Sequence, residues 1–315
     1  MKKILKPFKI LLPALFLLQI NLCAQGDNEN KKYEFTKIKS INKSYTVSSN
    51  SKLSIDNSFG KVEVHTWNKN EIKVDVTIEA SATKEDVAQK IIDGISVAEC
   101  QSDKEMSFKT KMNVHTNSKS NMKVNYNIYM PSSNPLNIAN HFGATIIPDY
   151  QGEVQLESKF GSLTTGNLSN VKKILVEFGK AKFENITNGT IVIKYSKATF
   201  EKLMMNVKMD IEFSSAIKMN VNNTLSALDI KASYSTVNLK PDAALSASYI
   251  ISTSFGKFKN NTSIKFDVDN EKNDWAPKFD QKYTGKSGNG SIPIKINSSF
   301  GSVILGEPTS GDLKD

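Results

Sequence analysis

Five carboxylates are the residues of this 315-residue chain best placed to do chemistry. Glu153, Glu157, Glu177, Asp210 and Glu212 stand in segments of alternating apolar and polar residues. Two or three acids on one exposed sheet face are what a glycoside-cleaving enzyme needs, one to protonate the leaving group and one to attack or to activate water. These acids have lysines close by in sequence and alternate outward, as solvated strand charges do. Glu157, Glu177 and Glu212 come only into loose register when the chain is folded at its repeat. A solvated face accounts for them, and a polysaccharide-active enzyme on a β-helix is carried as an alternative.

Other chemistries find fewer candidates. His65, His115 and His141 are scattered, none with a partner two or four residues on, whereas zinc asks for several convergent N or S ligands. No Gly-x-Ser-x-Gly elbow is present for a Ser nucleophile, and the many serines fall at turns or alternate outward. Gly285-Lys286-Ser287-Gly288-Asn289-Gly290 lacks the leading Gly and the following helix of a phosphate loop, and reads as a flexible loop. The expectation is therefore no catalytic, cofactor-binding or metal-binding residue, and no cofactor.

Every basic residue is Lys and none is Arg, at a formal charge of +9. Without the planar guanidinium fork for phosphates and base edges, a nucleic-acid partner is not expected. The lysines read as a solubilising surface charge, with weak, salt-sensitive attraction to anionic polysaccharide or lipid headgroups as the alternative.

The first residues read as a secretory signal peptide. Lys2, Lys3, Lys6 and Lys9 precede an apolar run from Ile10 to Leu22, and Leu22-Cys23-Ala24 offers cleavage after Ala24. Leu22 is too large for a lipoprotein signal at Cys23. Residues 1–24 are thus assigned as signal peptide, and their loss takes four lysines and lowers the charge to +5. The product is exported, to the periplasm, outer surface or medium, with no later segment apolar enough to span a bilayer. Cys100 is then the lone thiol, expected as a small buried hydrophobe.

The elements that would position any site are set by a recurring pair, an aromatic followed by Gly or Ser. It appears at Phe59, Phe142, Phe160, Phe178, Tyr195, Phe213, Tyr234, Phe255 and Phe300, with spacings of 18, 18, 17, 18, 21 and 21 residues from Phe142 to Phe255. Such a period marks a repeat architecture. Apolar residues alternate before each aromatic, and three residues after it comes a largely apolar column: Val62, Thr145, Leu163, Ala181, Ala198, Ala216, Val237, Phe258 and Val303. Each unit reads as strand, bend, strand, the small residue turning the corner. The expected fold is all-β, a single-chain β-solenoid with coils of roughly 18–21 residues and an N-terminal sheet-plus-helix cap. A sandwich or barrel would not explain why one pair recurs in phase. The aromatics are expected as an internal ladder at roughly 4.8 Å, so that Phe178→Ala would cost about 3–5 kcal/mol.

Organisation follows from these marks. Residues 25–50 read as a polar linker and 51–307 as the β-solenoid domain. Within it, 67–135 reads as an inserted cap with one helix at about 84–93, started by Thr83 and Asp86 and ended by Gly94. Residues 260–292 read as a loop insertion, 308–315 as a polar tail. The last unit, Ile294 to Leu305, is expected to close the open end with the loop or Trp275.

The opening Asn57-Ser58-Phe59-Gly60-Lys61-Val62-Glu63-Val64-His65-Thr66-Trp67 with Glu71-Ile72-Lys73-Val74, the helix from Lys84 to Gly94, the strand end Tyr126-Asn127-Ile128-Tyr129-Met130-Pro131 and the Phe-Gly rungs together resemble the bacterial putative-adhesin domain, within an adhesin-like domain spanning 51–307. The likeness runs from about Leu53 to Leu305. It implies an exported β-solenoid with a surface or adhesive role and carries over no functional residue. Ser196, Ser214 and Ser235 depart from the commoner Gly. The combined reading is a non-enzymatic adhesin-like or envelope scaffold protein, contacting a protein or polysaccharide of the envelope or host surface by many weak contacts. A periplasmic envelope-stress or regulatory partner is the further alternative.

Overall fold

The computed structural model describes residues 33–102, 104–114, 119–269 and 279–309. The expected signal peptide, His115, Trp275 and most of the polar tail lie outside them. The chain is all-β: its strands form one open, mostly parallel sheet, and the described residues contain a single helix, Glu85–Asp93.

Period-2 alternation makes the strands, and repetition stacks them. Each aromatic-small pair divides a repeat unit, here called a coil, into a segment before the bend and a segment after it. Segments of one kind pair only with their own kind, so two rows of parallel strands run side by side. In the first row Phe108, Ile55, Ile138, Leu156, Ile174, Ile191, Met209, Ile230, Ile296 and Ile251 fall opposite one another in turn. All ten are at most 2% exposed. No coil could bury such a face alone, and stacking makes one continuous apolar column. In the second row the column is Tyr126, Val62, Thr145, Leu163, Ala181, Ala198, Ile217, Val237, Val303 and Phe258. Ile217 takes the place expected for Ala216, because Ser214-Ser215 makes that bend one residue longer.

The order of coils in space is not their order in sequence. The last coil, Ile292–Ser299 and Ser302–Leu305, does not close the end of the array. It lies between Ala216–Ser233 and Ala247–Ser254 in the first row, and between Thr236–Pro241 and Lys257–Asn260 in the second. The first coil behaves alike: Lys52–Ser58 and Val62–Thr66 sit between the Glu105–Met112/Ser120–Met130 coil and the Leu136–His141/Ala144–Ile147 coil. The first and last units that carry the aromatic-Gly pair are thus both knitted inside the stack.

The ends of the stack are closed by antiparallel strands instead. Asp280–Lys286 pairs with Ala247–Ser254, and Phe266–Asp269 pairs with it in turn, so the stretch 260–292 carries two strands where a loop was expected. Phe266 packs edge-on against Phe258 there. At the other end Phe35–Thr46 runs antiparallel to Glu71–Ala82 over twelve residue pairs, so 25–50 is not only a linker. Its polar composition suits an edge strand, whose exposed backbone is guarded by lysines such as Lys39 and Lys43. The helix lays Ala88, Ile91 and Ile92 onto this end. Lys84, not Thr83, is its N-cap, and no side chain caps it; the acids Glu85 and Asp86 in its first turn complement the helix dipole instead. Cys100 is exposed, not buried, because Ile95–Gln101 is the outermost strand of its row and pairs only with Glu105–Met112.

Candidate functional site

The aromatics form the expected ladder, but on the outside. Phe59, Phe142, Phe160, Phe178, Tyr195, Phe213, Tyr234, Phe300, Phe255 and Phe279 stack in that order, with centroids 4.5–5.0 Å apart and interplanar angles of 2–18°. From Phe142 to Phe279 the rings are 45–53% exposed. Phe300 stands between Tyr234 and Phe255, as its intercalated coil requires. Phe279 joins the ladder without a following Gly or Ser, which is why the repeat did not reveal it.

Backbone conformation explains the outward turn. Nine of these aromatics, all but Phe279, adopt φ between 49° and 62°. That left-handed conformation is disfavoured for a bulky side chain, and it swings the ring out of the column its position would otherwise join. The residue after it is not left-handed, so its smallness serves a different end. A Cβ on Gly143 would stand 1.8 Å from the Gly60 carbonyl oxygen, and one on Gly161 would stand 1.9 Å from that of Gly143. Close approach of neighbouring coils, not freedom of φ, excludes a side chain there.

Where Ser replaces Gly, its hydroxyl is built into the stack. Ser196 Oγ accepts the Gly179 amide at 3.0 Å and donates to the Lys194 carbonyl at 2.6 Å. Ser214 Oγ does the same for the Ser196 amide and the Glu212 carbonyl, and Ser235 Oγ for the Ser214 amide and the Ser233 carbonyl. These three serines are buried, neither outward nor nucleophilic.

Charged columns flank the stripe. Immediately before the aromatics, Ser58, His141, Lys159, Glu177, Lys194 and Glu212 fall opposite one another, alternating in sign from Lys159 on. Lys159 reaches Glu177 at 3.6 Å, and Lys194 reaches Glu212 at 3.0 Å. Glu157 lies one column further back, facing Lys159 at 2.9 Å and His141 Nε2 at 3.2 Å. Burial works against its charge, but the hydrogen bonds from Lys159 and His141 outweigh it and hold the carboxyl below its ordinary value. Glu153 pairs with Lys172 at 3.7 Å, and Asp210 stands opposite Lys231 in the strand register. So Glu177 and Glu212 share a column with a lysine between them, Glu157 does not join it, and the five acids converge nowhere. A lysine-bound carboxylate beside its cation is a poor general acid, since protonation must break the pair.

On the other side of the stripe is a shallow groove of about 650 Å³, lined by Phe160, Phe178, Tyr195 and Phe213 together with Lys180 and Lys197. Both lysines are exposed, and neither has a carboxylate partner among the described residues. Gly161 and Gly179 form part of its floor.

The remaining candidates are placed apart. His65 bonds Asn127 and stacks on Tyr129, far from the His141 pair in the register. Among the described residues no three His, Cys, Asp or Glu are grouped to hold a metal ion. Gly285 and Lys286 end a strand, and Gly288 and Gly290, both at positive φ, make a tight turn closed by Gly290 N–H to the Ser287 carbonyl. No helix among the described residues is long and apolar enough to cross a membrane.

No protein-family model matches the chain, and no curated protein matches it in sequence. Among solved structures, it is similar to a putative adhesin from Bacteroides fragilis at 14% identity, over 85% of this chain and 97% of that one, with a TM-score of 0.43. A putative adhesin from Parabacteroides distasonis is similar at 11% identity over 85% and 97%, with a TM-score of 0.32. A putative cell adhesion protein from Clostridium sporogenes is similar at 13% identity over 86% and 100%, with a TM-score of 0.22.

Proposed function

We propose that this chain is an exported, non-enzymatic adhesin-like or envelope-scaffold protein that winds as a β-solenoid and binds its partner along the aromatic stripe. The winding is supported by the two rows, which advance together by one strand per repeat with the bends in phase. Export rests on the basic and apolar start of the sequence with its small residue at position 24.

The observation that carries the binding reading is the stripe itself. Nine bulky side chains are held in left-handed backbone, and the rings of eight of them, all but the half-buried Phe59, stand in solvent. Such conformations cost of order 1–3 kcal/mol each and cluster at sites that use them. A contiguous exposed apolar patch of this extent marks an interaction surface. Stacking at about 0.5–1.5 kcal/mol per pair offsets the strain and keeps the stripe straight and rigid. Weak contacts repeated at a fixed pitch then add up by avidity. The acids support the non-enzymatic reading, since Glu153, Glu157, Glu177 and Glu212 are paired with lysines and the five converge on no cleft.

The test is sedimentation of the purified chain with envelope fragments of its native host, compared with a Phe160→Ser/Phe178→Ser/Tyr195→Ser variant whose strand content is checked by circular dichroism. The wild type is expected to co-sediment and the folded variant to bind at least tenfold more weakly. Equal binding by the two would reject the stripe as the binding surface.

A further inference from the structure

Both faces of each interior ring in the stripe are covered by its neighbours, so the half of each ring left in solvent is its edge. Phe178, for instance, lies between Phe160 and Tyr195 at 4.9 and 4.8 Å, nearly parallel to each. A sugar that recognises aromatics by lying on a ring face has no face to lie on here. Edges offer something else: a continuous apolar rail whose hydrogens carry the positive end of the ring quadrupole.

The groove beside the rail adds charge at one place. Lys180 and Lys197 stand on adjacent rungs, paired with each other in the strand register. Both are exposed, and neither ammonium has a carboxylate partner among the described residues. The lysines on the far side of the stripe differ, since Lys159 and Lys194 are already engaged by Glu157 and Glu212. Gly161, Gly179, Ser196 and Ser215 complete the lining between rail and lysines. From Phe160 to Phe213 the groove runs about 15 Å along the stack, three steps of the strand spacing. Lys180 and Lys197 follow the two middle rings, Phe178 and Tyr195, so an anion held between them has an apolar rail leading away from it.

We propose that this groove binds a free long-chain fatty acid anion, its carboxylate between Lys180 and Lys197 and its chain running from there along the ring edges of Tyr195, Phe213 and the rings beyond. This deepens the reading of the stripe as a binding surface and rests on it for location. The pairing of two unpartnered ammonium groups with an apolar rail selects the occupant: the rail alone would take any amphiphile, and the lysines alone any anion.

Calorimetric titration of the full chain with myristate, below its micellar concentration, tests the assignment. Myristyl alcohol and tetradecyltrimethylammonium serve as ligands of the same chain length, and phosphatidylglycerol vesicles as a membrane surface. Myristate is expected to bind at one site, at least tenfold more tightly than either analogue. K180Q/K197Q should lose at least tenfold for myristate while leaving the alcohol unchanged, and Tyr195→Ser should weaken both. Equal affinity for the cationic amphiphile, an unaffected K180Q/K197Q variant, or binding to vesicles without binding to monomeric myristate would each overturn the proposal. If envelope binding depends on the stripe but myristate does not bind, the ligand assignment fails and the stripe reading stands. The reverse pattern separates the two the other way.

Discussion

The hydroxyl of Ser196 accepts the backbone amide of Gly179 from the neighbouring coil at 3.0 Å. The same hydroxyl donates to its own coil at Lys194, so one buried atom bridges two rungs at the bend. Ser214 and Ser235 repeat the device, each serving the amide of the serine before it. Ser214→Ala should therefore strand the Ser196 amide and cost about 1–3 kcal/mol, the desolvation penalty of an unmade bond. Chemical denaturation of Ser214→Ala against wild type measures it. Gly161→Ala, though also a small residue at an equivalent bend, faces a carbonyl oxygen 1.9 Å from its new Cβ and should cost at least as much by overpacking.

Position on the stripe sets the cost of losing a ring. Phe178 is half exposed, so Phe178→Ala should cost about 1–2 kcal/mol, combining half its burial with lost stacking. Phe183 is fully buried and stacks on Phe200 at 4.6 Å, so Phe183→Ala should cost about 3–5 kcal/mol. Because Phe178 sits at φ 53°, glycine should be better tolerated there than alanine, by about 1 kcal/mol. Melting the three variants in parallel gives the ranking, and Phe178→Ala matching Phe183→Ala would contradict the outward placement.

That outward placement was not legible in the sequence, and parity shows why. The inward columns lie two residues before each aromatic, as at Val176, and three after it, as at Ala181, or four at the longer Phe213 bend. In a straight strand, an aromatic two residues past an inward position would itself point inward. The left-handed residue breaks that alternation, and φ is not written in a Phe codon. The repeat, by contrast, was plain, because in-phase stacking forces the same pair to recur at each bend. The order of coils was hidden for another reason: Ser233 pairs with Ser299, and nothing local in either segment records a partner so distant.

Intercalation of the last coil has its own consequence. Ile296 is fully buried between Ile230 and Ile251 although it lies close to the chain end. Ile296→Ala should cost about 2–5 kcal/mol, as much as Ile193→Ala in the middle of the stack. Were the last coil only a terminal cover, its variant would melt near wild type.

Acid should loosen the charged columns in a defined direction. The Glu157 carboxyl is held below its ordinary value of 4.5 in the folded chain, by Lys159 and His141 against the opposing effect of burial. A lowered folded value means the pair stabilises above the unfolded pKa and loses that contribution as pH falls through the folded one. Stability should therefore decline on acidification below about pH 4.5, and Glu157→Gln should decline less over the same interval. Melting temperatures of both proteins across the acid range give the comparison, and parallel curves would remove Glu157 as a contributor.

The central claim is that a partner engages the exposed ring edges. Tyr195 and Tyr234 report on it directly, since both lie in the ladder and both are about half exposed. Hydroxyl-radical footprinting of the chain, free and bound to envelope fragments of its host, would read their accessibility, with the exposed Cys100 at the edge of the stack as the internal control. The account predicts that modification of Tyr195 and Tyr234 falls at least severalfold on binding while Cys100 is unchanged. Binding that leaves both tyrosines as reactive as in the free chain would contradict it.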